Sequence, residues 1–164
     1  METAKARNDS GSISGKHFVE AVAYLLRETF QGSPEGQPSA FLDRGVGIFS
    51  TLDGLSAEAA SKDFHGTTVA AQTEHAKFYI DRLCEFIEGR TDRVNWEDSW
   101  LIETLNDAEW DGLRTTVRRS YEDALRCIAG VESWSEVSLG MAIGMIAHTA
   151  YHLGAVRQIA KHTK

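Results

Sequence analysis

The chain has 164 residues, of which 42% are hydrophobic and 25% are charged, and its formal net charge is −7. This length suits one domain with a sizeable core. The negative charge and the lack of a basic stripe argue against nucleic acid as a general partner. The two prolines, Pro34 and Pro38, lie in one segment, so the rest of the chain is free to be helical.

The first residues, METAKARNDSGSIS, are polar and lack the apolar core of a signal peptide. We therefore expect a flexible tail at residues 1–13, a single helical domain at residues 14–164, and a cytoplasmic protein. Cys84 and Cys127 lack CxxC spacing and lie in apolar helical patterns, which predicts buried free thiols.

Three features organise the first third of the chain. Apolar residues recur at helical spacing from about Ser14 to Phe30, which predicts a first helix. Residues 32–40, GSPEGQPSA, give the strongest loop signal in the chain. A second helical piece is expected over roughly Ser39–Leu55, although Gly45 and Gly47 weaken a helix interior.

The remaining two thirds predict a short capped turn at residues 56–60 and then three long helices. These helices are expected at about residues 68–88, 107–129 and 139–160, and Gly89 and Gly130 end the first two. No strand alternation persists anywhere. The sequence thus predicts an all-α four-helix bundle, with an extra short helix after the first and a long connection between the second and third main helices.

The long connection, residues 91–106, carries Trp96 and Trp100 in the segment NWEDSW. Two tryptophans four residues apart indicate either a loop packed over the bundle or the wall of a pocket. Covering the core is the more common use of such residues. Phe41, in the predicted second helical piece, is a further candidate for a pocket wall.

The last predicted helix has a core-type stripe whose members are three and four residues apart, as in a helix packed against near-parallel neighbours. The stripe consists of Met141, Met145, His148, His152, Ala155 and Ile159. One turn separates the two histidines, so their imidazoles project from the same face, about 5–6 Å apart at Cβ. Burying two imidazoles costs free energy unless each finds a partner, and one divalent metal ion satisfies both.

Two other interpretations of this helix remain open. Each histidine of a satisfied core pair would bond a carbonyl or a carboxylate. A membrane span is the second alternative, because no charged residue falls between Glu136 and Arg157, about the ~20 residues that a bilayer needs. The histidines, glycines and hydroxyl groups within that stretch favour a buried bundle helix over a membrane span.

A third histidine would turn the pair into a site of catalytic type, because such zinc sites commonly have three protein ligands and one open position. The candidates are His17, His65, His75 and His162. His162 lies near the C-terminus, His65 in a polar loop, and His17 at the start of the first helix. His75 lies well inside a long helix, where a neighbouring helix can hold it against the pair, and is therefore favoured.

Two segments carry a resemblance to a known family. Residues 147–160, AHTAYHLGAVRQIA, are similar to the final helix of the DinB/YfiT-like four-helix metalloprotein superfamily. Residues 67–80, TTVAAQTEHAKFYI, resemble the helix that carries the first histidine of that family. The resemblance extends from about residue 14. It implies a DinB/YfiT-like bundle that binds nickel or zinc through His75, His148 and His152.

Members of that superfamily include thiol S-transferases that use low-molecular-weight thiols, a mycothiol-dependent maleylpyruvate isomerase, and proteins described as metal-dependent hydrolases. The resemblance therefore implies a metal-dependent enzyme with a small-molecule substrate, either thiol S-transferase- or isomerase-like or hydrolase-like, with a low-molecular-weight thiol as a second candidate cofactor. An open metal position suits both chemistries, because it can take water or a thiolate. The sequence does not decide between them.

No catalytic residue is assigned from the sequence. The pair lies in HTAYH rather than HExxH, so Thr149 replaces the general base of zinc proteases. Hydrolysis would rely on the metal or on Asp43, Glu103 or Tyr151, and none of these is singled out by its pattern.

Two further hypotheses come from different functional classes. The first is a non-catalytic helical bundle that binds a metal or a small ligand. The second is a structural homodimer, since Gly140 and Gly144 have GxxxG spacing that permits close helix approach, and an exposed apolar face would mediate the contact.

Overall fold

The computed structural model describes residues 14–163, which are all-helical apart from connections. An isolated antiparallel bridge joins Phe64 and Thr67, and no strand is assigned within these residues. The all-α class predicted from the sequence is therefore confirmed. The predicted tail at residues 1–13 lies outside the described residues, and the division into a tail and one domain stays a prediction.

Six α-helices and one 3₁₀ turn make up the structure. They are α1 (Gly15–Gln31), α2 (Ile48–Asp53), α3 (Ala57–Ser61), α4 (Val69–Ile87), the 3₁₀ turn (Trp96–Trp100), α5 (Asp107–Gly130) and α6 (Glu136–Thr163). Side chains cap the long helices: the Thr68 hydroxyl accepts from the Ala71 N–H at 3.0 Å, and Asn106 and Glu109 form a capping box. The four long helices thus begin close to the residues that the sequence predicts, although α6 starts at Glu136 rather than Leu139.

The four long helices pack around one core. Helix α4 lies against α5 and α6, and α1 lies against the same two helices. Each long helix contributes fully buried apolar side chains to the core, for example Leu26, Ile80, Ile128 and Met145. This arrangement is compatible with the predicted four-helix bundle.

The second helical piece differs from the prediction of Ser39–Leu55. Residues 39–47 are irregular, and the helix there is restricted to α2, while the predicted capped turn forms α3. The cause is a carboxylate that the hydrophobic pattern does not reveal: Glu28 of α1 accepts the N–H groups of Ala40, Phe41 and Leu42 at 2.7–2.9 Å. Those contacts hold the segment as a loop folded over the end of α1.

Two glycines allow the chain to cross the end of α1 with backbone against backbone. A Cβ on Gly47 would lie 2.6 Å from the Gly32 nitrogen, and a Cβ on Gly32 would lie 2.8 Å from the Val46 carbonyl oxygen. Gly32 also has a φ of +82°, which disfavours any other residue. Gly47, which weakens the helix pattern in the sequence, therefore serves close packing.

Helix α6 is long and apolar enough to meet the composition criterion for a membrane span. Its most apolar 18-residue window has a mean hydropathy of 1.2, and 33% of that window is buried within the structure. A core helix of a soluble protein passes the same test, so the feature is weak evidence for a span. The cytoplasmic location stays a prediction.

Both cysteines are free thiols, as the sequence predicts. Cys84 of α4 is buried and Cys127 of α5 is half-buried. The Cys127 thiol lies 3.8 Å from the Cys84 carbonyl oxygen, where it can donate a weak hydrogen bond. The two cysteines thus contribute to the packing of α4 against α5.

Glu28 is the most deeply buried carboxylate in the described core, with 2% of its surface exposed. Burial raises the pKa of this carboxyl, but hydrogen bonds from Ser39, Phe41, Leu42 and Ala40 outweigh burial and lower the pKa to about 2. The ionised form therefore holds the loop at residues 39–42 against α1.

We predict that Glu28→Gln lowers the free energy of unfolding at neutral pH by about 2 kcal/mol, because one accepting oxygen becomes an NH₂ group that faces N–H donors. The pKa of Glu28 in the fold is about 2, below its ordinary value of 4.5. The stabilisation that ionised Glu28 contributes is therefore complete above pH 4.5 and is lost as the pH falls through about 2. Urea unfolding measures both effects. Glu20→Gln, on the exposed side of α1, is the matched control, and equal midpoints for the two variants would contradict the prediction.

Candidate metal centre

Three histidines meet where α4 packs against α6. His75 lies on α4, and His148 and His152 lie one turn apart on α6. A ring nitrogen of each lies within 4.8 Å of the others. The centroids of the His148 and His152 rings are 4.3 Å apart, and that of His75 is 5.0 and 4.7 Å from them. The structure therefore brings together the three residues that the sequence selects.

The other candidate histidines lie elsewhere. His162 stacks on Phe64 with ring centroids 4.8 Å apart, and His65 meets the edge of the same phenyl ring at 4.6 Å. His17 is exposed near the start of α1. None of these three belongs to the group of converging histidines.

The electrostatic environment keeps the three imidazoles neutral. Burial, together with the neighbouring His148 and His75, lowers the pKa of His152 to about 3. Burial and the neighbouring His75 lower the pKa of His148 to about 4, and burial also lowers the pKa of His75. Neutral imidazole is the form that binds metals, so this cluster is ready for a cation at neutral pH.

These shifts also set the sign of a pH effect on the metal-free fold. An unfolded chain protonates its histidines near pH 6.5, whereas His148 and His152 in the fold take up protons only near pH 4 and 3. Between these values the unfolded state binds more protons. Stability of the metal-free chain therefore falls as the pH is lowered from 6.5 towards 4.

Ser99 fixes the proton on His75. The Ser99 side chain is fully buried, and its hydroxyl donates its one proton to the Trp96 carbonyl oxygen at 2.5 Å. At 2.7 Å from the same hydroxyl oxygen, the Nδ1 of His75 must therefore be the donor. The Nε2 of His75 is left with a free lone pair.

Gln72 plays the matching part for His152. Its amide nitrogen donates to the Thr67 hydroxyl at 3.0 Å, and its amide oxygen lies 2.7 Å from the His152 Nδ1. An amide oxygen can only accept, so in this orientation His152 carries its proton on Nδ1 and its Nε2 is free. A partner on the outer nitrogen of each ring is the usual way in which proteins orient metal-binding histidines.

His148 provides the clearest indication that the group fits a metal ion. Its Nε2 is buried and has no hydrogen-bond partner among the described residues. Tyr79 of α4 stacks on the ring with centroids 3.6 Å apart, which fixes its plane. An unpartnered buried nitrogen costs free energy, and a cation shared with His75 and His152 would remove that cost.

The alternative of a satisfied core pair requires a carbonyl or carboxylate partner for each ring of the α6 pair. The structure gives His152 such a partner, the side-chain carbonyl oxygen of Gln72, but leaves the buried Nε2 of His148 unpartnered, so the pair is only half satisfied. Neutral nitrogen ligands at this spacing suit zinc, nickel, copper or iron rather than calcium or magnesium. The three histidines can therefore hold a transition-metal ion.

The 3₁₀ turn covers the site, and its two tryptophans divide the two predicted uses: one forms a wall of the site and the other packs over the bundle. Trp100 stacks on His75 with centroids 3.9 Å apart and remains 44% exposed, so it forms a wall of the site. Trp96 packs against Tyr79 with centroids 5.1 Å apart and covers α4. Phe41 is held in the loop beside Glu28, and none of the described ring contacts joins it to the histidines.

A cavity of about 710 Å³ lies beside the site: none of the three histidines lines it, but Gln72 and Trp100, which contact His152 and His75, lie in its wall. Two carboxylates, Asp63 and Glu103, also line it, and no lysine or arginine does. Glu103 is thus the candidate base that borders the cavity. Tyr151 meets the edge of the His152 ring with centroids 5.0 Å apart and is otherwise exposed.

Helical spacing alone places Gln72 and Tyr79 about one turn from His75, three residues before it and four after it, but the pattern assigns neither residue a role. Ser99 is 24 residues from His75, in a segment with no periodic pattern. No local signal points to that contact.

Comparison with known proteins adds no identification. No family model, no curated protein and no solved structure matches the chain. The function must therefore be argued from the geometry of the site.

We predict that Ser99→Ala lowers the affinity for zinc by 10–100-fold, the usual effect of removing an outer partner of a metal-binding histidine. Without the hydroxyl, His75 is free to change its tautomer and ring orientation. Competition with a chromogenic chelator measures the dissociation constant.

Ser61→Ala is the matched control for this prediction. The Ser61 hydroxyl accepts from the Leu105 N–H at 2.9 Å and so anchors the same connection without bonding to a histidine. If both variants lose affinity equally, the effect comes from the connection as a whole. Unchanged affinity in Ser99→Ala would contradict the assigned role of the hydroxyl.

Proposed function

We propose that the protein is a DinB/YfiT-like metal-dependent enzyme that acts on small molecules, with a divalent ion bound by His75, His148 and His152. The observation that carries the proposal is the convergence of three neutral imidazoles, one of which has a buried nitrogen without a partner. His152 is buried and the other two histidines are half-buried, so the group costs free energy without a cation and is stabilised by one.

The order of the elements supports the family assignment. One histidine lies on α4, the long connection follows α4, and the pair lies on the last helix, as in the superfamily that the sequence resembles. The packing of α1, α4, α5 and α6 supports a four-helix bundle of that type. Nickel and zinc are the metals that we propose for the site.

A divalent ion held by His75, His148 and His152 would supply Lewis-acid chemistry, which would lower the pKa of a water molecule towards ~7 or keep a thiol ionised. The protein residues set the conditions for that chemistry. Ser99 and Gln72 orient two of the rings, while Trp100 and Tyr79 stack on His75 and His148 and exclude water from those faces.

The adjoining cavity is the proposed substrate site. Its volume of about 710 Å³ is within the range of small-ligand pockets. Asp63 and Glu103 can accept hydrogen bonds or protons from a substrate, and the absence of basic residues from the lining favours neutral or cationic molecules over anions. Thiol S-transfer, isomerisation and hydrolysis are the reaction classes that we propose.

A second candidate function is a non-catalytic bundle that binds a metal or a small ligand. One observation favours it: the residue directly after the first histidine, which is the general base Glu in HExxH proteases, is Thr149 here. Thr149 is fully buried, and its hydroxyl donates to the Met145 carbonyl oxygen at 2.8 Å. It therefore cannot serve as a base at the site.

We predict about one nickel or zinc ion per chain in the wild-type protein and loss of that metal in His152→Ala. Elemental analysis of untagged protein, before and after incubation with excess metal and desalting, makes the measurement. His162→Ala, an exposed histidine on the same helix, is the matched control and should keep the metal. Failure of the wild-type protein to retain metal even after incubation would contradict the proposal.

Turnover separates the two candidate functions. Metal-loaded protein is incubated with the cationic thiol cysteamine and 1-chloro-2,4-dinitrobenzene, and separately with p-nitrophenyl acetate, because the acidic lining favours neutral or cationic molecules. Turnover that disappears on chelation and in His152→Ala would support an enzyme. Stoichiometric metal without turnover across a wider panel of thiols, electrophiles and esters would favour the non-catalytic bundle.

A further inference from the structure

Helix α6 has an apolar face that points away from the core. Its exposed residues Gly140, Ile143, Ala147, Tyr151 and Gly154 follow one another at steps of three and four residues, so they form one stripe, here called the outer stripe. The stripe is apolar or small throughout, with Ile143 55% and Tyr151 72% exposed. Such a contiguous apolar surface marks an interaction site more often than a solvated face.

Two glycines in the outer stripe have no role within the chain. Glycine is among the least favourable residues in a helix interior, yet Gly140 and Gly154 both lie well inside α6. A Cβ at either position would meet no atom within 4 Å, whereas a Cβ at Gly47 would collide with backbone. Gly112 and Gly130 have the same free space, so it is the place of Gly140 and Gly154 on an exposed apolar face that favours an outside partner there.

We propose that the outer stripe is the interface with a second copy of this chain, in which the two α6 helices pack antiparallel. This proposal does not depend on the metal site. The stripe continues to Glu136 at the start of the helix and, past Gln158, to Lys161 near its end, and these three polar residues are exposed. Antiparallel pairing places each Glu136 against Lys161 of the second copy, so opposite charges meet at both ends.

The same register matches large residues with small ones. It places Ile143 opposite Gly154 of the second copy and Ala147 opposite Tyr151 of the second copy, and the two-fold symmetry repeats each contact. Parallel pairing would instead bring Tyr151 against Tyr151 and Glu136 against Glu136. The stripe is thus self-complementary in size and charge only when the helices run in opposite directions.

A membrane surface is a less suitable occupant of the stripe. The net charge of −7 opposes binding to an anionic lipid surface. Acyl chains adapt to any apolar outline, so lipid gives no reason for glycines at Gly140 and Gly154, whereas a partner helix with side chains opposite them does. Binding to vesicles is therefore kept as an outcome of the test.

Cysteine cross-linking tests the register. Ile143→Cys combined with Gly154→Cys places thiols opposite each other across the proposed interface, and about 16 Å of helix separates them within one chain. Oxidation of this double variant with diamide should give mostly covalent dimer. The single variants Ile143→Cys and Gly154→Cys are the matched controls, because each thiol lies about 16 Å along the helix axis from its equivalent in the second copy. Each should give less than a tenth as much.

The wild-type chain is oxidised alongside to account for Cys84 and Cys127. Cross-linking of either single variant as strongly as the double variant would overturn the proposed register. Absence of covalent dimer from the double variant would overturn the interface.

Sedimentation equilibrium tests the fit of the glycines. Gly154→Leu should weaken dimerisation at least tenfold, while its melting temperature at a dilution where the chain is monomeric should not fall, because leucine favours the helix. Gly112→Leu is the matched control, since Gly112 is also exposed in a helix and a Cβ there meets nothing within 4 Å. It should dimerise as the wild type does.

Two results would overturn the proposal. The first is a wild-type chain that is monomeric at 100 µM, a concentration at which the proposed contact would be populated; binding of that monomer to phosphatidylcholine vesicles would assign the stripe to a membrane. The second is equal dimerisation of Gly154→Leu and wild type, which would place the interface elsewhere on the molecule.

Discussion

The contact between α4 and α6 places three imidazoles in a space where two or three protonated rings would repel one another. Burial lowers the pKa of His148 to about 4 and that of His152 to about 3, so the cluster is neutral at physiological pH. Neutral rings with free nitrogens are costly to bury unless a ligand uses them. The arrangement of the neighbouring elements follows from this constraint.

The connection between α4 and α5 illustrates that dependence. It is nearly structureless except for the 3₁₀ turn, yet the turn buries Ser99 completely and lays Trp100 over His75. Gln72 performs the same task for His152 from within α4. A loop residue, Ser99, thus orients His75, and a helix residue, Gln72, orients His152. Helix α6 contributes one face to the site, and its outer stripe lies on a different face.

Much of the fold and the positions of the histidines could be predicted because they follow local rules. The long helices follow from periodicity and caps such as Thr68, and a four-residue step alone puts His148 and His152 on one face. Residues 39–47 could not be predicted, because the charge on Glu28 rather than local propensity holds them as a loop. The contact of Ser99 with His75 likewise depends on tertiary packing.

X-ray absorption spectroscopy at the zinc edge, on protein loaded with one equivalent of zinc, tests whether the three histidines bind the metal. Imidazole ligands give a characteristic multiple-scattering pattern from which they can be counted. We predict three imidazoles in the wild type, two in His75→Ala, and three in the control His65→Ala. Zinc bound mainly by carboxylate oxygens or by the cysteine sulfurs, or the same spectrum in wild type and His75→Ala, would contradict this prediction.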